Sequence, residues 1–231
     1  MVSISVFFPC YNEEGNVGRV VGRAKEVLEQ MGADYEIIIV DDGSKDRTGQ
    51  IADELAKRDN RIKVIHHSPN RGYGAAVQSG FRAATKQFVF FTDGDGQFDI
   101  GEMPALLPLM EKNDIVCGYR LNRNDPVIRK INGWLWTKLV CLLFGMHIRD
   151  IDCAFKLFRR EVFDHIKMSS SGALISAEIL ARATRSGYKI AQAGVHHYPR
   201  TAGKQTGAKL RVILRAFKEL FSLYNRIRKG Q

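Results

Sequence analysis

Cysteine is scarce in this chain. There are four, Cys10, Cys117, Cys141 and Cys153, none in a C-x-x-C pair and all in apolar surroundings. They provide no disulfide framework and read as reduced core thiols. No stretch reaches the roughly 18 to 20 uninterrupted apolar residues of a membrane span. The opening MVSISVFFPCYN has no basic region ahead of its short apolar run, so it reads as a first strand and not a signal peptide. Internal repeats, low-complexity tracts and linkers are also missing. What is present is ordinary globular material: 231 residues, 45% hydrophobic and 26% charged. That suffices for one domain with a real core. Acidic charge is in deficit: 25 Asp and Glu stand against 35 Lys and Arg, a formal net charge of +10. A basic excess suits nucleic acid, an anionic membrane or phosphate-bearing substrates.

Apolar runs alternate with helical patterns. Residues 2–8, 35–40, 61–67 and 87–92 read as buried strands, the first ended by Pro9. Helices are expected from an N-cap at Asn12 to Met31, over about 46–58, and from 75 to about 85. Strands alternating with helices imply βαβ units and a mostly parallel sheet, whose ligands bind at the carboxyl ends of the strands. Beyond Gln97 the pattern loosens. A helix is expected over 104–110, a strand over 114–120 and a basic loop over 121–130. Residues 133–148 form an apolar to amphipathic segment, and 150–163 a strand then a turn. A helix over 176–187, a strand over 188–199 and a flexible loop over 200–207 follow. A basic amphipathic helix over 208–229 ends the pattern, giving a domain over 1–207 and an appendage over 208–231.

Three polar clusters fall at strand ends. TDGDGQFD, residues 92–99, places Asp93 and Asp95 behind an apolar strand, with glycines that let the backbone turn. Like carboxylates this close are costly unless something positive joins them. Two of them suit a hard divalent cation that also holds substrate phosphates, and Gln97 adds an oxygen. The plainer alternative is a solvated acidic turn. DDGS, residues 41–44, is open between a helix-capping turn and a carboxylate, Asp41 or Asp42, that accepts from a base or ribose. PCYNEE, residues 9–14, offers Tyr11 for stacking and Glu13 as an acceptor, or only a helix start. Of each pair His66–His67 and His196–His197, one member is expected in the core and one outside.

Taken in order, P-x-Y-N-E at 9–13, V-D-D-G-S at 40–44, R-G-x-G-x-A at 71–76 and D-x-D-x-Q at 93–97 resemble the family 2 glycosyltransferases of the GT-A fold. Later segments extend the likeness along essentially the whole chain, and they are most similar to the dolichyl-phosphate mannose synthase branch. These are GYR at 118–120, RK at 129–130, FKLFRREV at 155–162 behind Asp150, Glu178, and R-x-x-G at 200–203. The resemblance implies a Rossmann-like, mostly parallel sheet flanked by helices, and an inverting transferase moving a sugar from a GDP- or UDP-sugar to a polyprenyl phosphate. It implies that Pro9, Tyr11, Glu13, Asp41 and Asp42 hold the nucleotide, and that Asp93, Asp95 and Gln97 hold Mg²⁺ or Mn²⁺. Arg120, Arg129, Arg200 and Lys204 would bind phosphates, with Asp95, Arg120, Arg129 and Asp150 in the catalytic set; Asp152, which the resemblance does not supply, joins that set as a partner for a basic residue or a base for a hydroxyl acceptor. The pattern departs from that branch at Asp152, in D-I-D-C, and in GKQTG, where Lys204 comes two positions early.

A lipid phosphate is already anionic near neutral pH and needs no base. The alternative acceptor, a glycan or protein hydroxyl, would need one, and Asp152 is the candidate. Residues 133–148 and 208–229 are the expected contacts with a membrane surface, or with a membrane-protein partner, at the cytoplasmic face. Nucleic acid is disfavoured because the basic residues are dispersed and no recognition motif appears. A dinucleotide dehydrogenase is disfavoured because the G-x-G at Gly72 and Gly74 follows a loop and lacks the third glycine.

Overall fold

The computed structural model describes residues 1–121, 127–200 and 210–228. Seven strands form one sheet: β1 (Ser3–Cys10), β2 (Asp34–Asp41), β3 (Ile62–His66), β4 (Phe88–Thr92), β5 (Ile115–Leu121), β6 (Phe155–Arg159) and β7 (Ile190–His196). Their order across the sheet is β3-β2-β1-β4-β6-β5-β7. All neighbours are parallel except β6, which runs antiparallel to both β4 and β5. The helices are α1 (Val17–Gln30), α2 (Thr48–Arg58), α3 (Tyr73–Ala83), α4 (Val127–Phe144), α5 (Val162–His165), α6 (Ile175–Arg185) and α7 (Leu210–Arg228). The mostly parallel α/β architecture is the one expected.

The central strands are apolar on both faces because helices cover both. In β1, Ile4, Val6 and Phe8 face the layer containing α1, while Phe7 faces the layer containing α3 and α6. Phe7 meets Phe81 edge-on at 4.7 Å, and Phe81 stacks on Phe163 at 3.9 Å. Each buried ring contributes about 1.5–3 kcal/mol. Helix α3 approaches closely because Gly80 lies on Phe7: a Cβ there would come 2.2 Å from the ring.

Several boundaries differ from expectation, for physical reasons. Pro9 does not end β1; it pairs in register with Val40, and the strand runs to Cys10. Asn12 does not cap α1. It sits at φ +57, its side chain accepts from the Lys45 amide, and Asn16 takes the N-cap position. The segment expected as a helix over 104–110 is a 3₁₀ helix, Ile100–Glu111, because Pro104 and Pro108 remove the amides an α-helix needs. The basic loop expected over 121–130 is helical from Val127. After β6, Val162–His165 form a short helix, not a turn. Of the loop at 200–207 and the ends of the last helix, 201–209 and 229 lie outside the described residues.

All four cysteines are free and buried. His67 is buried while His66 is partly exposed, as alternation along a strand requires. Among the described residues no helix is long and apolar enough to cross a membrane.

The reversed direction of β6 positions the site. Lys156 pairs with Phe91 and Phe155 with Thr92. The loop preceding β6, with Asp150 and Asp152, therefore lies beside the residues following β4. The carboxyl ends of β1, β2, β4, β5 and β7 meet the amino end of β6 at one edge.

Candidate active site

Register brings the first motifs together. Cys10 pairs with Asp41, and the Gly94 amide reaches the Pro9 carbonyl at 3.4 Å. Tyr11 is exposed above this point, and Glu13 is buried beneath it. Glu13 accepts from the Asn16 side chain at 2.8 Å and from the Arg200 guanidinium. Burial pushes the Glu13 carboxyl up, opposed by Asn16 and Arg200.

The two carboxylates of DDGS do different work. Asp41 accepts from the Ser44 amide at 3.0 Å and meets His66 Nδ1 at 3.1 Å. Asp42 turns inward: it meets His67 Nδ1 at 2.6 Å and accepts from the amides of Arg71 and Gly72 at 2.9 Å each. It thereby fixes the R-G-Y-G loop against the sheet. His67 Nε2 continues to Ser79 Oγ at 2.9 Å.

Beyond β4, Asp93 accepts from the Tyr73 hydroxyl at 2.9 Å and Asp95 from the Gln97 amide at 3.0 Å. Gly96 makes this turn possible. Its φ is +71, and a Cβ would strike the Arg19 guanidinium at 2.2 Å. Gln97 closes a reciprocal pair with Tyr198: its side chain donates to the Tyr198 carbonyl at 3.0 Å, and the Tyr198 amide donates to the Gln97 carbonyl at 2.8 Å. Asp99 points elsewhere, accepting from the Gly101 amide at the start of the 3₁₀ helix.

Burial, reinforced by the Asp95 charge, pushes the Asp93 carboxyl up to about 7. A carboxyl whose ionisation is opposed in this way is relieved by a bound cation. Among the described residues no three His, Cys, Asp or Glu side chains form a metal cluster. Asp93 and Asp95 are the carboxylates that could hold a divalent ion if substrate and water completed its shell.

The opposite wall is cationic. Arg120, at the end of β5, donates to Asp150 twice, at 2.6 and 2.7 Å, a planar fork with both side chains largely buried. Arg200 bridges Glu13 and Asp95, the latter at 3.6 Å. Asp152 is exposed as a residue, with its carboxyl among Asp150, Arg120, Lys156 and Trp136. Desolvation there and the Asp150 charge push its carboxyl up, while Arg120, Lys156 and the Trp136 indole oppose the shift. Arg129 falls in the first turn of α4, its side chain outside the described residues, as is Lys204.

Tyr73 and Lys156 went unassigned in the sequence, and Trp136 was expected only as part of a membrane-contacting segment. The signals were a tyrosine between the glycines of R-G-Y-G, a tryptophan in an apolar segment, and a lone cation in the apolar A-F-K-L-F.

The family model described as Glycosyl transferase family 2 matches residues 5–167. A polyprenol monophosphomannose synthase from Mycolicibacterium smegmatis is 31% identical over 225 residues, spanning 89% of this chain and 82% of the relative. A dodecaprenyl-phosphate galacturonate synthase from Rhizobium johnstonii is 28% identical over 237 residues, 99% of this chain and 70% of the relative. Among solved structures, glucosyl-3-phosphoglycerate synthase from Mycobacterium tuberculosis, in complex with Mn²⁺, UDP-glucose and phosphoglyceric acid, superposes with a TM-score of 0.74 at 19% identity. That alignment covers 99% of this chain and 80% of the other. At that identity the likeness speaks for the fold, which is GT-A. Matched by the family model over 5–167 and by a 31% identical relative along most of its length, this chain belongs to glycosyl transferase family 2.

Proposed function

We propose that the enzyme transfers a sugar, with inversion, from a GDP- or UDP-sugar to a polyprenyl phosphate. The observation that carries this reading is the placement of α4. Its Trp136 reaches Asp152 in the cleft, while Ile128, Ile131, Trp134 and Leu135 are exposed on the same helix. An apolar surface beside a cationic wall suits an acceptor with a phosphate head and a hydrocarbon tail. Trp136 also packs on Phe217 of α7 at 5.4 Å, and Phe221 of α7 is exposed. Helix α7 is anchored through Leu220, Leu223 and Ile227, which are buried in the core. We therefore assign residues 1–207 to catalysis, and α4 with 208–231 to a peripheral contact with the cytoplasmic face of a membrane or with a membrane protein. The sugar-lipid activities of the two relatives support this reading.

Asp93 and Asp95, with Gln97 alongside, are the residues that would hold Mg²⁺ or Mn²⁺. Bound there, the ion would supply positive charge to the diphosphate of the leaving nucleotide. Tyr11, Glu13 and Asp41 line the nucleotide side, and Asp42 shapes it through the R-G-Y-G loop. Arg120, oriented by Asp150, keeps its remaining N–H groups for a phosphate, with Arg129, Arg200 and Lys204 as the other cations. An acceptor phosphate oxygen attacks the anomeric carbon. The new C–O bond forms as the bond to the nucleotide's β-phosphate oxygen breaks, and the electron pair leaves with the nucleoside diphosphate. Because the acceptor arrives ionised, no side chain has to remove a proton.

The raised, accessible Asp152 carboxyl favours a second reading, a glycan or protein hydroxyl acceptor with Asp152 as base. An extraction assay decides. The protein is incubated with Mn²⁺, a polyprenyl phosphate and labelled UDP- and GDP-sugars one at a time. Label should enter the organic phase from one donor and vanish with EDTA. Label found only in aqueous product would overturn the lipid reading.

A further inference from the structure

Lys156 is 1% exposed, the second residue of β6, between Phe91 of β4 and Cys117 of β5. Its ammonium donates to the carbonyls of Ile151, at 3.2 Å, and Cys153. Burying a lysine costs stability unless its charge is used. An apolar side chain of similar volume in such a slot is often as stable or more so. The residues gripped are the loop that carries both Asp150, the partner of Arg120, and Asp152. The ammonium also lies close enough to bias Asp93 and Asp152 toward their charged forms.

We propose that Lys156 is a positioning residue for the acceptor wall: by holding the Ile151 and Cys153 carbonyls it sets the 150–153 loop, and through Asp150 the Arg120 guanidinium, at the cleft. The inference rests on the transfer reaction proposed above for its kinetic arm only.

The test is Lys156→Met, read three ways. Hydrogen–deuterium exchange of the peptide covering 149–155 should accelerate at least about tenfold, while β1 to β3 are unchanged. Mn²⁺-dependent UDP and GDP binding, by calorimetry, should stay within about threefold. Turnover per folded molecule should fall about 10- to 100-fold, as on loss of other supporting contacts around a site, with Lys156→Arg recovering part of it. Unchanged exchange in the loop, or wild-type turnover per folded molecule, would overturn the proposal. So would a general loss of stability with normal turnover in what remains folded, since that is a purely structural role. Should the methionine variant not fold, Lys156→Gln, which keeps one donor without the charge, is read by the same criteria. If wild-type protein transfers nothing to polyprenyl phosphate, the functional reading falls by itself, and the exchange and binding arms still decide the role of Lys156.

Discussion

On the β1–β2–β4 side of the sheet edge, carboxylates are steadied by main-chain amides: Asp41 by Ser44, Asp42 by Arg71 and Gly72, Asp95 by Gln97. On the β5–β6–β7 side, cations are steadied by oxygens: Arg120 by Asp150, Lys156 by two carbonyls, Arg200 by Glu13. In the proposed reaction the first wall would take a cation and the second an anionic group, with Arg200 already joining the two through Glu13 and Asp95. A reaction between a metal-bound diphosphate and an anionic acceptor would use both.

The largest way to break this contrast is to remove charge from the first wall. Asp93→Asn or Asp95→Asn should lower turnover on the order of 10²–10³-fold, with the far-ultraviolet spectrum and melting temperature nearly unchanged. Normal turnover in either variant would remove the metal assignment.

On the second wall the expected cost falls on folding as well. Asp150→Asn leaves the largely buried Arg120 without its fork and should cost about 2–3 kcal/mol in denaturant unfolding. Arg120→Lys keeps the charge but cannot make the planar pair, so it should cost less stability while still lowering turnover.

Glu178 sharpens the comparison from behind the cleft. It is fully buried and accepts from the Ser169 and Ser170 amides at 3.0 and 2.7 Å. The neighbouring Ser171 carbonyl accepts from the Gly74 amide in the R-G-Y-G loop. Burial raises its pKa, but the donors from Ser169 and Ser170 outweigh burial and hold it below the usual glutamate value. Its stabilisation is therefore complete above the unfolded pKa of about 4.3 and is lost as pH falls through the lower folded value. Glu178→Gln should cost about 1–3 kcal/mol at pH 7, a gap that narrows below about pH 4. A gap independent of pH would show that charge is not what matters there.

Tyr73→Phe is the mildest of these changes. Losing one hydrogen bond to Asp93 should weaken Mn²⁺-dependent nucleotide binding about three- to tenfold, measurable by calorimetry.

The two walls also differ in how far the sequence reveals them. Asp41, Asp42, Asp93 and Asp95 follow apolar strands directly, and parallel strands bring such ends to one edge. The second wall depends on the direction of β6, which no local pattern announces: a strand of five residues reads the same either way. The Arg120–Asp150 pair spans thirty residues and Arg200–Glu13 spans 187. Those contacts exist only after the sheet has assembled. Helix α4 was misjudged at its start because its first turn, V-I-R-K, has the composition of a basic loop.

The most direct measurement is the rate of sugar transfer to polyprenyl phosphate by Asp152→Asn, beside the wild type. An acceptor that carries its own negative charge predicts organic-phase product at a rate within about tenfold of wild type, since no general base is lost. No organic-phase product from the wild type, with aqueous product that falls about 10³-fold in Asp152→Asn, would contradict the account and identify Asp152 as the base for a hydroxyl acceptor.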